Sequence, residues 1–147
     1  DASLVSDILY TILYGAKSAN SRLIEKMYKE FDEEFPQKQE IEKNFNQTIS
    51  FLGMLLESPH IRKVFKPKFM FYSLFLVVYA RLFGFTGAED ERTGNIDIEK
   101  TRYRLEEFCV RYTQPDFDPI LKAQFKQSTG NVAQRRFRHA ELSKLVV

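Results

Sequence analysis

The sequence predicts an all-α fold, six to seven helices packed around one buried helix at about residues 68–83. Three observations lead there. Phe69–Ala80 runs twelve residues without a charge, between Lys68 and Arg81. Elsewhere apolar residues recur at spacings of three and four, the period of a helix face. No stretch alternates apolar and polar residues with enough β-branched side chains to make a strand. An uncharged helix of this length rises about 18 Å, short of the ~30 Å hydrocarbon core of a bilayer. It is therefore expected to be surrounded by other helices, and no membrane partner is expected.

The first helix is predicted from Leu4, Val5, Ile8, Leu9, Ile12 and Leu13, with Ser3 as a cap and Gly15 as its end. Leu23, Ile24, Met27, Tyr28 and Phe31 give a second helix that stops near Phe35-Pro36, because the residue before proline disfavours helix. Gln37 to Glu57 forms a third, with Ile41, Phe45, Ile49, Leu52 and Leu56 on one side, and Ser58-Pro59-His60 breaks it. Ile61, Val64 and Phe65 read as a short turn into the central helix, which Pro67 opens and Gly84 closes. Residues 85–95 carry two glycines and almost no apolar side chain after Phe85, and are expected to be a flexible surface loop. Asp97 caps a fifth helix with Ile98, Leu105, Phe108, Cys109 and Tyr112 inward. Asp118-Pro119 opens a sixth, Ile120 to Thr129, closed by Gly130. Asn131 with Gln134 three residues later resembles a capping box at the start of the last helix.

At 147 residues the chain is expected to be a single domain, 1–147, large enough to bury a core. The 44% hydrophobic and 29% charged content excludes a disordered chain. One cysteine, Cys109, excludes an internal disulfide and makes a cytoplasmic setting the expectation. The opening residues lack the basic start of a secretory leader, so none is expected. Charge is unevenly placed. Glu25 to Glu42 holds seven acidic and three basic residues, whereas Lys122 to Lys144 holds six basic residues against Glu141 alone. A basic end on a balanced domain points to an anionic partner such as DNA or another nucleic acid.

For catalysis, metal or cofactor the sequence offers no constellation. There is no Walker or Rossmann glycine pattern, and Cys109, His60 and His139 are too scattered for a zinc site. Asp118 is accounted for as a helix cap beside Asp116, and Glu89, Asp90 and Glu91 as a solvated loop. Arg135 and His139 leave only three residues between them, fewer than the Arg…His ribonuclease motif of some helical defence proteins. The suggestive stretch is the last one. Ser128, Thr129 and Asn131 offer donors at a helix start, where anions are favoured, and Arg135, Arg136, Arg138 and Lys144 follow on the helix itself. Guanidinium forks suit phosphate. Arg135 and Arg138, three apart, share a face, with Phe137, Ala140 and Leu145 toward the core; the competing reading takes that arginine face as a polar outer one paired with the acidic second helix.

Four segments together resemble a known family. Tyr28–Pro36 with Phe45–Leu56, then Tyr72–Phe83, and the terminal Phe125…Ser128-Thr129-Gly130-Asn131…Arg135-Arg136-Phe137-Arg138 resemble the C-terminal half of the GmrSD-type restriction family. Such proteins carry upstream a ParB-like nucleotide-hydrolysing domain marked by Asp-Gly-Gln-Gln-Arg, and their helical half ends in a hydroxyl-rich turn and an arginine pair. Neither that motif nor a His-Asn-His nuclease motif occurs here. The resemblance implies a non-catalytic helical module of a phage-defence protein, with Thr129, Arg135, Arg136 and Arg138 as the positions carried over. It also implies a catalytic domain or subunit as partner. The alternative is a helical protein–protein interaction or oligomerisation module that binds no nucleic acid.

Overall fold

The computed structural model describes residues 2–15, 20–33, 37–126 and 132–147. Those residues form eight helices and no strand. They are α1 (Ala2–Tyr14), α2 (Ser21–Asp32), α3 (Lys38–Leu55), α4 (Pro59–Phe65), α5 (Lys68–Leu82), α6 (Ile98–Tyr112), α7 (Pro119–Lys126) and α8 (Val132–Ser143). The helix beyond the expected six to seven is α4. Ser58 accepts from the Ile61 backbone N–H at 3.5 Å and Pro59 takes the first helical position, so the residues read as a break also start a new helix.

The centre is α5. Nearly every side chain from Met70 to Leu82 is buried, because α1, α3, α4 and α8 pack around it. Phe75 meets Phe45 of α3 at 4.7 Å between ring centres, and Tyr79 carries the contact on to Phe83 at 5.3 Å. Thr11 of α1 and Tyr72 of α5 share a buried hydroxyl–hydroxyl hydrogen bond of 2.6 Å. Among the described residues no helix is long and apolar enough to cross a membrane.

Local capping explains most boundaries. Gly15 ends α1 at φ +86°, Asn20 caps α2 by accepting from Leu23, and Asp97 caps α6 by accepting from Lys100 at 3.0 Å. Asp118 accepts from Ile120 at 2.9 Å to start α7. Ser3 lies within α1 and not at its cap. The expected stop at Phe35-Pro36, the end of the sixth helix at Thr129-Gly130 and the Asn131 cap fall outside the described residues. Residues 85–95 carry no helix. Both ends of Arg81 tie this segment. Its carbonyl accepts from Thr93 and Gly94, and its guanidinium donates to the Glu91 carbonyl at 3.1 Å and the Ser143 carbonyl at 2.9 Å.

Candidate functional site

The terminal helix has a core-facing stripe at positions 135, 138 and 142, and two of its three members are arginines. Arg138 has no solvent exposure. Its Nε donates to Ser73 Oγ and its Nη1 to the Phe125 carbonyl, both at 3.2 Å, while the guanidinium lies 5.3 Å from the Phe69 ring centre. Burial, and then the neighbouring Arg135, lowers its pKa from the ordinary arginine value. Arg135 is 8% exposed, forms a two-pronged ion pair with Asp7 of α1 and sits 4.3 Å above the Tyr72 ring. A flat, weakly hydrated guanidinium tolerates such sites where an ammonium would not.

This placement corrects the expected orientation. Arg135 and Arg138 do not form an outer face, and the acidic partner belongs to α1, not α2. The reason is the stripe. Leu142, fully buried, lies on the same side of the helix and fixes which face is inward. Ala140, expected toward the core, is exposed, while Phe137 and Leu145 are partly buried against it. Arg136 is exposed, and Lys144, also exposed, pairs with Glu141 at 3.1 Å. Ser128, Thr129 and Asn131 lie outside the described residues. Of the candidate positions described, then, two point inward and two outward.

Beside α8 a cleft of about 480 Å³ opens between the end of α1, the side of α5 and residues 85–90. Its wall holds a pair that sequence spacing could not reveal. His139 Nε2 lies 2.6 Å from Asp90 Oδ2, with the carboxylate side chain only 7% exposed, and Phe85 meets the imidazole edge-on. The partners are 49 positions apart, and Asp90 alone looks like one of three loop acids. Gly15 permits the closure on the α1 side, where a side chain would meet the Thr86 carbonyl at 3.1 Å and φ is positive. With Tyr14, Tyr72 and Phe85 as apolar walls and Arg136 at its edge, the cleft can hold a small polar molecule.

The other candidates have local explanations. Cys109 is buried on α6, and burial, with a smaller contribution from Glu106, pushes its thiol up to about 12. It is not a nucleophile at neutral pH. Asp118 is occupied as the cap of α7, and no group of three or more His, Cys, Asp or Glu able to hold a metal occurs among the described residues. Compared with protein-family models, with characterised proteins and with solved structures, the chain has no match.

Proposed function

We propose that this chain is a non-catalytic helical module of a restriction- or phage-defence-type protein. It supports an upstream nucleotide-dependent nuclease domain and contacts nucleic-acid phosphates through its basic surface. The observation that carries this reading is the use made of the terminal arginine pair. Arg135 and Arg138 are engaged inside the fold, where they clamp α8 to α1, α5 and α7 through Asp7, Ser73 and the Phe125 carbonyl. Arginines held this way stiffen a scaffold and leave none of their charge for a reacting group. The cations that remain outward are Arg136 on α8 and Lys144 just beyond it, the latter beside Glu141 at 3.1 Å.

The test combines binding with turnover. The chain is mixed with a DNA duplex and a single strand at about 50 and 200 mM salt, and separately assayed with nucleoside triphosphates and Mg²⁺. The expected result is salt-sensitive binding, of the order of 10⁻⁴ to 10⁻⁶ M, without strand cleavage or nucleotide hydrolysis. Turnover by the chain alone would reject the module reading. Absence of binding at both salts would favour the second reading, a protein–protein interaction module. That reading is favoured by Tyr103 and Ile120, large apolar side chains left 68% and 73% exposed on α6 and α7.

A further inference from the structure

Two long stretches of the chain contain no Asp or Glu, Ser58 through Ala88 and Pro119 through Ala140. They supply α4, α5, α7 and α8, and the structure packs them together, α5 against α4 and α8, and α7 against α8. Basic side chains on α4, α5 and α7 therefore meet no carboxylate from their own elements, whereas the last turn of α8 carries Glu141. Arg62 and Lys63 of α4, with Lys66 just after it, are exposed around the corner where α4 turns into α5. Lys126, at the end of α7, is exposed as well. Arg138 fixes that neighbourhood, because it touches both the Phe69 ring next to Lys68 and the Phe125 carbonyl next to Lys126. Of the acids that bound these stretches, Glu57 lies 3.9 Å from Arg102 and Asp118 caps α7.

We propose that this α4–α5 corner, extended by Lys126, is the docking surface for the phosphate backbone of a nucleic acid. The inference rests on the nucleic-acid half of the function proposed above and moves the main contact from α8 to the corner. A membrane surface fits less well. Basic helices that lie on lipid present apolar side chains for insertion beside their cations. On α4 the apolar residues Ile61, Val64 and Phe65 are all in the core, so its outward face offers charge and little else.

Each phosphate neutralised contributes about −0.9 to the slope of log affinity against log salt on duplex DNA. Lys63→Glu/Lys66→Glu should therefore reduce that slope by about 2 and weaken duplex binding about ten-fold or more at 50 mM salt. Arg136→Glu/Lys144→Glu, which reverses the same number of charges, should weaken binding clearly less than the corner variant does. Circular dichroism checks the fold of each, and Lys63→Gln/Lys66→Gln serves if charge reversal disturbs it. Wild-type binding that is unchanged in the corner variants, or lost only in the α8 variant, overturns the corner while leaving the proposed function standing. No wild-type binding at 50 mM salt overturns both. Binding to phosphatidylcholine–phosphatidylserine vesicles without binding to the duplex overturns the corner in favour of a lipid partner.

Discussion

A guanidinium without solvent needs acceptors for its N–H groups and a soft face for its plane, and Arg138 has both in Ser73, the Phe125 carbonyl and Phe69. Truncating it removes the donor and leaves those acceptors buried beside a hole. Arg138→Ala is expected to cost about 3 kcal/mol or more, in the range of broken buried polar contacts. Arg136, two residues away on the opposite side of the helix and exposed, should change stability by no more than about 0.5 kcal/mol on the same substitution. Urea denaturation of the two variants separates them. Equal losses, or a larger loss for Arg136→Ala, would mean that the helix presents its other face to the core. The identity of the inward face was open to sequence reading in one respect: Arg135, Arg138 and Leu142 lie at i, i+3 and i+7. What hid it was the habit of placing arginine outside. Asp7 is the matching signal, the single charged residue of an otherwise apolar or neutral α1. Its partner lies 128 positions away, beyond the reach of any local pattern.

For the elements, the central assignment depends on α5 being enclosed on all sides. Val77 is wholly buried, so Val77→Asp would place a carboxylate out of reach of solvent. The penalty, several kcal/mol against a total stability of roughly 5–15, should abolish soluble folded protein. Expression and thermal melting measure this, and a variant melting like wild type would show that α5 has a solvent-facing side. This helix was legible because its signal is composition, which needs no partner to be read. Asp97 and Asp118 were legible because capping acts within three residues. The seven-residue α4 was not, since Ile61, Val64 and Phe65 supply little more than one turn of periodicity. Its helical state comes from packing against α5 and α6, together with a serine–proline start that equally ends α3. The basic residues of that corner stand in a run without acids that is visible in the chain, but only the turn from α4 into α5 gathers them at one corner. The His139–Asp90 contact needed the fold itself, which brings the 85–95 segment across to α8.

At the scale of the molecule, burial is divided unequally. One core joins α3 through α8 with Ile8 and Ile12 of α1, whereas Leu9, Tyr10 and Met27 form a separate, smaller cluster between α1 and α2. Met27 is the only fully buried side chain of α2. Ile24 packs partly buried against the same cluster, and polar contacts add to the attachment. Ser6 and Tyr28 share a 2.7 Å hydrogen bond, Tyr14 donates to Glu30 at 2.6 Å, and Lys38 sits over Phe31 at 5.3 Å. Exposed polar contacts of this kind contribute about 0–1 kcal/mol each, much less than the burial of core side chains. Opening α2 therefore sacrifices little apolar burial and leaves the main core closed. Native-state hydrogen exchange should show this directly. Amides of α2 are expected to exchange through openings well below the global free energy and with weak denaturant dependence. Those of α5 should exchange only through complete unfolding. Met27→Ala should lower the α2 openings further and leave the α5 amides on the global limit, less whatever stability the variant loses overall. If α2 and α5 share one opening free energy and one denaturant dependence, the two clusters form a single cooperative unit and the division drawn here is wrong.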